Sequence, residues 1–257
     1  MNIPIRMKRY GVPILLGAIL IGATVVSSPM KPRDDIFLEK RFERKSREFI
    51  IKGEYLLFLP GGYSDSSKPF PLILFLHGAS SKKMGYNRLK TKGPAPFIET
   101  RPDFPFILIS PSCPLGGGWS VGFLGALLDE VTEKYRVDQD RIYVTGISMG
   151  GFGTWRLALA FPHRFAAIAP VAGAVDLRRV CDLKNLPVWI MHGAIDEQIP
   201  PHVSEQAFET LRACGGDVNF TLFKDSPHDC SDKAYGRPDL YEWFLTHRRQ
   251  SHRRGTP

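Results

Sequence analysis

The 257-residue chain has no internal repeat and no low-complexity tract, and none of its four cysteines has metal-ligand spacing. Repeat arrays and cysteine-held metal modules are therefore excluded at the outset. Acidic residues are missing from both ends: residues 1–28 carry Arg6, Lys8 and Arg9 alone, and residues 245–257 carry Arg248, Arg249, Arg253 and Arg254 alone. Seven of the formal +8 charges are thus terminal, and the body between them is nearly neutral. That distribution argues against nucleic acid as a partner, and residues 249–257 read as a solvated basic tail.

Charge is also absent from Gly11 to Val26, directly after the basic stretch Arg6–Arg9. The run is shorter than the roughly 20 residues of a spanning helix, and small residues at Val25-Val26-Ser27 offer a cleavage point, so residues 1–28 read as a signal peptide. No strong A-x-A site is present, which keeps an uncleaved membrane anchor, a single transmembrane helix, as the alternative. In both cases the body is exported, to the periplasm or beyond, where Cys113, Cys181, Cys214 and Cys230 meet conditions that permit disulfides. Four cysteines allow three pairings and the spacing does not choose among them; for Cys230 a bridge and a buried thiol both stay open.

What is present fits one catalytic domain over residues 46–248, after a charged flexible linker over 29–45. Glu48–Lys52 and Tyr55–Leu59, separated by Gly53-Glu54, read as an opening hairpin. Continuous apolar runs follow at Pro71–Leu76, Phe104–Ile109, Arg141–Ile147, Phe165–Val171, Pro187–Met191 and Val218–Phe223. They alternate with helical stretches at Gly122–Tyr135, Met149–Ala160, Pro201–Ala213 and Leu240–Arg248, the pattern of a mostly parallel α/β sheet covered on both faces. In such sheets ligands bind beyond the carboxyl ends of the strands, so the residues just after each run carry most weight.

One such run enters Gly146-Ile147-Ser148-Met149-Gly150-Gly151 and leaves as a helix. A sharp strand-to-helix turn of this kind exposes a serine nucleophile, with small residues where strand and helix nearly touch. The helix start aims free N–H groups at a reacting carbonyl oxygen, Met149 N–H among them. In folds with this elbow the acid and then the histidine follow the serine, which removes His77, His163 and His192 as the base. His202 lies too near the best acid, and His247 and His252 belong to the basic tail, leaving His228 after the last apolar run. Asp196, after Pro187–Met191, is the expected acid, with Glu197 and Asp176 as substitutes. Gly78 and Ala79 close another strand, so Ala79 N–H is the second expected oxyanion donor and His77 a shaper of that loop. Trp119, after three glycines, either lines the site or packs as an ordinary surface aromatic.

The residues Val137-Asp138-Gln139-Asp140-Arg141-Ile142-Tyr143 leading to the serine elbow, Pro187-Val188-Trp189-Ile190-Met191-His192-Gly193 with Asp196, and His228 through Tyr235 make the chain similar to a known group. It resembles the α/β-hydrolases of the phospholipase/carboxylesterase and predicted-peptidase branch, near feruloyl-type and polyhydroxybutyrate depolymerase-type esterases, over roughly Arg47–Arg248. The resemblance implies an α/β-hydrolase fold, a Ser148-His228-Asp196 triad and hydrolysis of carboxylic esters through an acyl-enzyme, without cofactor or metal. Ala79-Ser80-Ser81-Lys82-Lys83-Met84 departs from the Gly-Glu-x-Gly pattern frequent in that branch. A serine peptidase using the same three residues is the alternative, and a non-catalytic binding protein ranks below both. The short connection from Val171 to Pro187 leaves little or no lid and suits short acyl groups or esters on polymers.

Overall fold

The computed structural model describes residues 36–45, 50–79, 85–101, 103–114 and 117–249. The expected export segment at 1–28 and the oxyanion-loop residues 80–84 lie outside the described residues. Among the described residues no helix is long and apolar enough to cross a membrane.

The strands are β1 (Phe37–Lys45), β2 (Ile50–Phe58), β3 (Phe70–Leu76), β4 (Ile107–Pro111), β5 (Val137–Ile147), β6 (Ala167–Val171), β7 (Val188–Gly193) and β8 (Val218–Phe223). They form one sheet in the order β1-β2-β4-β3-β5-β6-β7-β8. β1 and β2 pair antiparallel, as do β2 and β4, and every later neighbour is parallel. The helices are α1 (Tyr86–Leu89), α2 (Ala95–Glu99), α3 (Val121–Lys134), α4 (Met149–Ala160), α5 (His202–Ala213), α6 (Ser231–Tyr235) and α7 (Pro238–Thr246).

Alternation along β3 explains both cores, because successive side chains of a strand leave opposite faces. Leu72, Leu74 and Leu76 pack with Leu124, Leu127 and Trp155 on the α3/α4/α5 side. Ile73 and Phe75 point the other way, toward Leu89, Ile98 and Phe244 of α1, α2 and α7. With both faces covered, the strand sequence must be apolar at every position, and it is.

Two expectations are corrected. β2 runs straight through Gly53, and its partner is β1, within the expected linker and hairpin turn. Gly53 is a packing glycine: a Cβ there would come within 2.5 Å of the Phe42 and Phe123 rings. Charge disguised β1, since in FLEKRFERK only Phe37 and Phe42 are buried. Its charges are matched across the ladder instead, Arg41 with Glu54 at 2.9 Å and Glu43 with Lys52 at 2.8 Å, as suits an edge strand. The basic end is the second correction. Arg248 reaches Asp138 at 3.2 Å, and Arg249 reaches Asp140 at 3.0 Å while its N–H donates to Asp140 O, so both dock on the start of β5. Residues 250–257 lie outside the described residues.

Candidate active site

β5 ends at Ile147 and α4 begins at Met149, leaving one residue to reverse the chain. Ser148 does so at φ 56° and ψ −118°, a backbone region that strains any residue with a Cβ. The turn stays closed because Ser148 N–H donates to Val171 O at 2.9 Å and Phe152 N–H to Ser148 O at 3.0 Å. It also requires bare backbone beside it: a Cβ at Gly146 would stand 2.5 Å from Leu76 O and 2.6 Å from Gly150 O.

β7 and β8 lie on the same side of the elbow, and the loops after them deliver the partners. His228 Nε2 stands 2.8 Å from Ser148 Oγ, and His228 Nδ1 stands 2.7 Å from Asp196 Oδ2. The three residues expected from sequence are thus in one hydrogen-bonded line. The substitutes are elsewhere: Asp176 is exposed and paired with Arg178, and Glu197 is exposed.

Asp196 is buried, and burial alone would raise its carboxyl pKa. Hydrogen bonds from the Ile199 N–H, from His228 and from the Gln198 N–H outweigh that and hold it below the ordinary carboxylate value. It therefore stays ionised where an imidazolium beside it would need a counter-charge. A further donor was missed from sequence. His192, fully buried, brings Nε2 to 3.0 Å from Asp196 Oδ2. The signal was available, since His192 closes β7 four residues before the acid, but chain order excludes it only as a base and says nothing of a supporting role.

His77 shapes its loop. Its Nε2 accepts from Cys113 N–H at 3.1 Å and its Nδ1 lies 2.8 Å from Gly78 O, which fixes a neutral ring with the proton on Nδ1. Burial lowers its pKa, only partly offset by the Gly78 carbonyl. Trp119 is buried, crosses the His77 ring edge-on and donates its Nε1–H to His77 O at 3.1 Å. It also borders one of the clefts at Ser148.

Two clefts meet at Ser148. One, of about 230 Å³, passes His228 and is bordered by Gly78, Ala79, Lys92 and Gln198. The other, of about 370 Å³, runs between Trp119 and the α4 side chains Met149, Phe152 and Arg156. Ala79 and Met149, the expected oxyanion donors, therefore border the serine from different clefts.

Cys181 and Cys214 form a disulfide between the β6–β7 connection and the end of α5. Cys230 is a buried thiol rather than a bridge, and burial pushes its pKa up to about 12. No group of three or more His, Cys, Asp or Glu among the described residues could hold a metal ion.

The phospholipase/carboxylesterase family matches residues 120–235, from the start of α3 through α6. Feruloyl esterase C of Emericella nidulans is 32% identical over 157 residues, covering 57% of this chain and 56% of that protein. The chain spans about half the length of the curated relatives it matches. Among solved structures, a thermostable esterase superposes with a TM-score of 0.69 at 27% identity, over 84% of this chain and 64% of the other. An acylaminoacyl peptidase of Pyrococcus horikoshii superposes with a TM-score of 0.63 at 17% identity, over 88% and 44%, which is a likeness of fold alone.

Proposed function

We propose that this chain, an α/β-hydrolase that resembles the phospholipase/carboxylesterase family across its middle, cleaves carboxylic esters with Ser148 as nucleophile, His228 as base and Asp196 as the acid that orients it. The observation that carries the reading is the unbroken line Ser148 Oγ, His228 Nε2, His228 Nδ1, Asp196 Oδ2, with contacts of 2.8 and 2.7 Å, ending on a carboxylate kept ionised.

His228 Nε2 takes the Ser148 proton as Oγ attacks the ester carbonyl carbon, and the carbonyl oxygen becomes an oxyanion. Met149 N–H, at the positive end of α4, and Ala79 N–H receive that charge. The C–O bond to the alcohol then breaks, and the imidazolium returns its proton to the leaving oxygen. Water, deprotonated by the same nitrogen, attacks the acyl-serine; the acid departs and Ser148 recovers its proton. No step needs a metal or cofactor.

Esters are preferred over amides because the matched family and the relatives that align in sequence are esterases by name, whereas the peptidase likeness is one of fold. The two modest clefts and the single 3-10 turn, Val180–Leu183, between β6 and β7 favour short acyl groups or esters carried on polymers. Export of the body fits the basic-then-apolar N-terminal sequence and the Cys181–Cys214 bridge. Cell fractionation checks it, and recovery of the full chain only in the cytosol rejects it.

The deciding experiment is turnover of p-nitrophenyl acetate through octanoate beside Ser148→Ala, with a matched anilide and a fluorophosphonate probe. Ester turnover that vanishes in Ser148→Ala supports the reading. Preference for the anilide assigns the same residues to a peptidase. Absence of both turnover and probe labelling leaves a binding protein.

A further inference from the structure

The cleft on the α4 side of Ser148 has a polarity that the ester reaction does not use. Met149, Phe152, Gly153 and Arg156 recur at helical spacing, so they form one face of α4 that starts at the nucleophile and leads away from it. Eight residues at 1.5 Å each put Arg156 about 12 Å along the helix from Ser148. The first part of that path is apolar. Met149 is half-buried, Phe152 is 37% exposed, and Trp119 stands across from them with its ring fixed by the bond to His77 O.

The far end is cationic. Arg156 is exposed and borders the cleft, and it has neither an ion pair nor a hydrogen bond to any described residue. Its neighbours in charge behave differently: Arg141, Arg164, Arg178 and Arg179 each hold an aspartate within 3.1 Å. A guanidinium left without an acid at the end of an apolar track has its fork available to a planar anion, which it can take with two parallel N–H bonds.

We infer that Arg156 is a specificity-determining residue, and that the preferred esters carry a carboxylate separated from the scissile bond by an apolar spacer that lies along Met149 and Phe152. The inference rests on the ester reading above and deepens it by naming a substrate class, anionic esters. The carboxylate can belong to the acyl part or to the alcohol part, and the chemistry of its recognition is the same.

The test uses the full chain and two sets of substrates. On the acyl side these are mono-p-nitrophenyl esters of adipic, suberic and sebacic acid, each beside its ω-carboxamide. On the alcohol side they are acetyl esters of ω-hydroxy acids beside their ω-carboxamides. The readout is the ratio of kcat/KM for the anionic over the neutral member of each pair. We expect a ratio of roughly five in one of the two sets, carried by KM, as suits a charge pair at an exposed site. In Arg156→Gln the ratio falls to one or below, and Arg156→Lys keeps part of it; being a ratio, it is unaffected by general loss of active protein. It should also shrink with added salt. A wild-type ratio near one in both sets, or one unchanged by Arg156→Gln, overturns the inference while the ester reading stands. Failure of wild type on every ester, anionic and neutral alike and p-nitrophenyl acetate included, overturns the ester reading and this one with it.

Discussion

His192 Nε2 and His228 Nδ1 converge on a single oxygen of Asp196, at 3.0 and 2.7 Å. His192 Nε2 also lies 3.0 Å from Ile199 O, and neither contact can donate, so Nε2 carries a proton, while Nδ1 is hydrogen-bonded to the Ser204 hydroxyl at 2.7 Å. A ring pinned between Ser204 and two acceptors fixes the carboxylate toward His228. His192 is thus a positioning residue. His192→Ala removes one donor from a buried carboxylate, an interaction in the range of about 1.5–3 kcal/mol, and kcat should fall roughly ten- to a hundredfold with KM little changed. His192→Gln, which keeps a donor, should recover part of kcat. Wild-type kcat in a destabilised His192→Ala protein would assign the residue to packing alone.

In the proposed mechanism Ser148 holds its strained backbone for the sake of the hydroxyl, so stability and activity should part at this residue. Ser148→Gly removes the Cβ from φ 56° and relieves strain of about 1–3 kcal/mol, less the extra freedom that glycine has in the unfolded chain. The net expectation is a gain of about 1 kcal/mol in unfolding free energy with complete loss of ester turnover. Urea titration of Ser148→Gly and Ser148→Ala side by side measures the difference; a Gly variant less stable than Ala would mean the elbow is not strained.

Most of the fold was legible because a doubly covered sheet writes itself as unbroken apolar runs: Val218–Phe223 is found as expected, and Pro71–Leu76 to within one residue. The serine elbow was legible for a different reason, since it needs a fixed spacing of glycines about one serine. β1 was not, because an edge strand buries only Phe37 and Phe42 and spends its other positions on cross-strand charges. His192 and Arg156 were missed because their roles depend on which groups lie opposite them in space. No pattern along the chain says that Ile199 O faces the one or that no described acid faces the other.

His77 ties stability to pH. Its pKa is lowered in the folded protein, chiefly by burial, against an ordinary value of 6.5. The unfolded chain therefore binds the proton first, and the stability present above pH 6.5 should decline as pH falls from there toward the lowered folded value. Chemical denaturation at pH 8 and pH 5.5 should show the drop, with part of it absent in His77→Gln. An equal drop in both proteins would assign it to other groups.

The Cys181–Cys214 bridge closes a loop of 33 residues that contains β7 and α5, and thus the strand that carries His192 and the turn that carries Asp196. Loop-closure entropy for that length corresponds to about 3.5 kcal/mol of destabilisation of the unfolded chain. Cys181→Ser/Cys214→Ser should therefore unfold at a clearly lower guanidinium concentration. Reduction of the wild type should reproduce that midpoint, since Cys230 is a buried thiol and breaks no further bridge. Turnover at 25 °C in the absence of denaturant should survive, because the bridge itself contacts none of Ser148, His228 and Asp196 in their hydrogen-bonded line. Loss of turnover with the midpoint unchanged would reverse the argument: the bridge would then act on the placement of Asp196 and not on the unfolded chain.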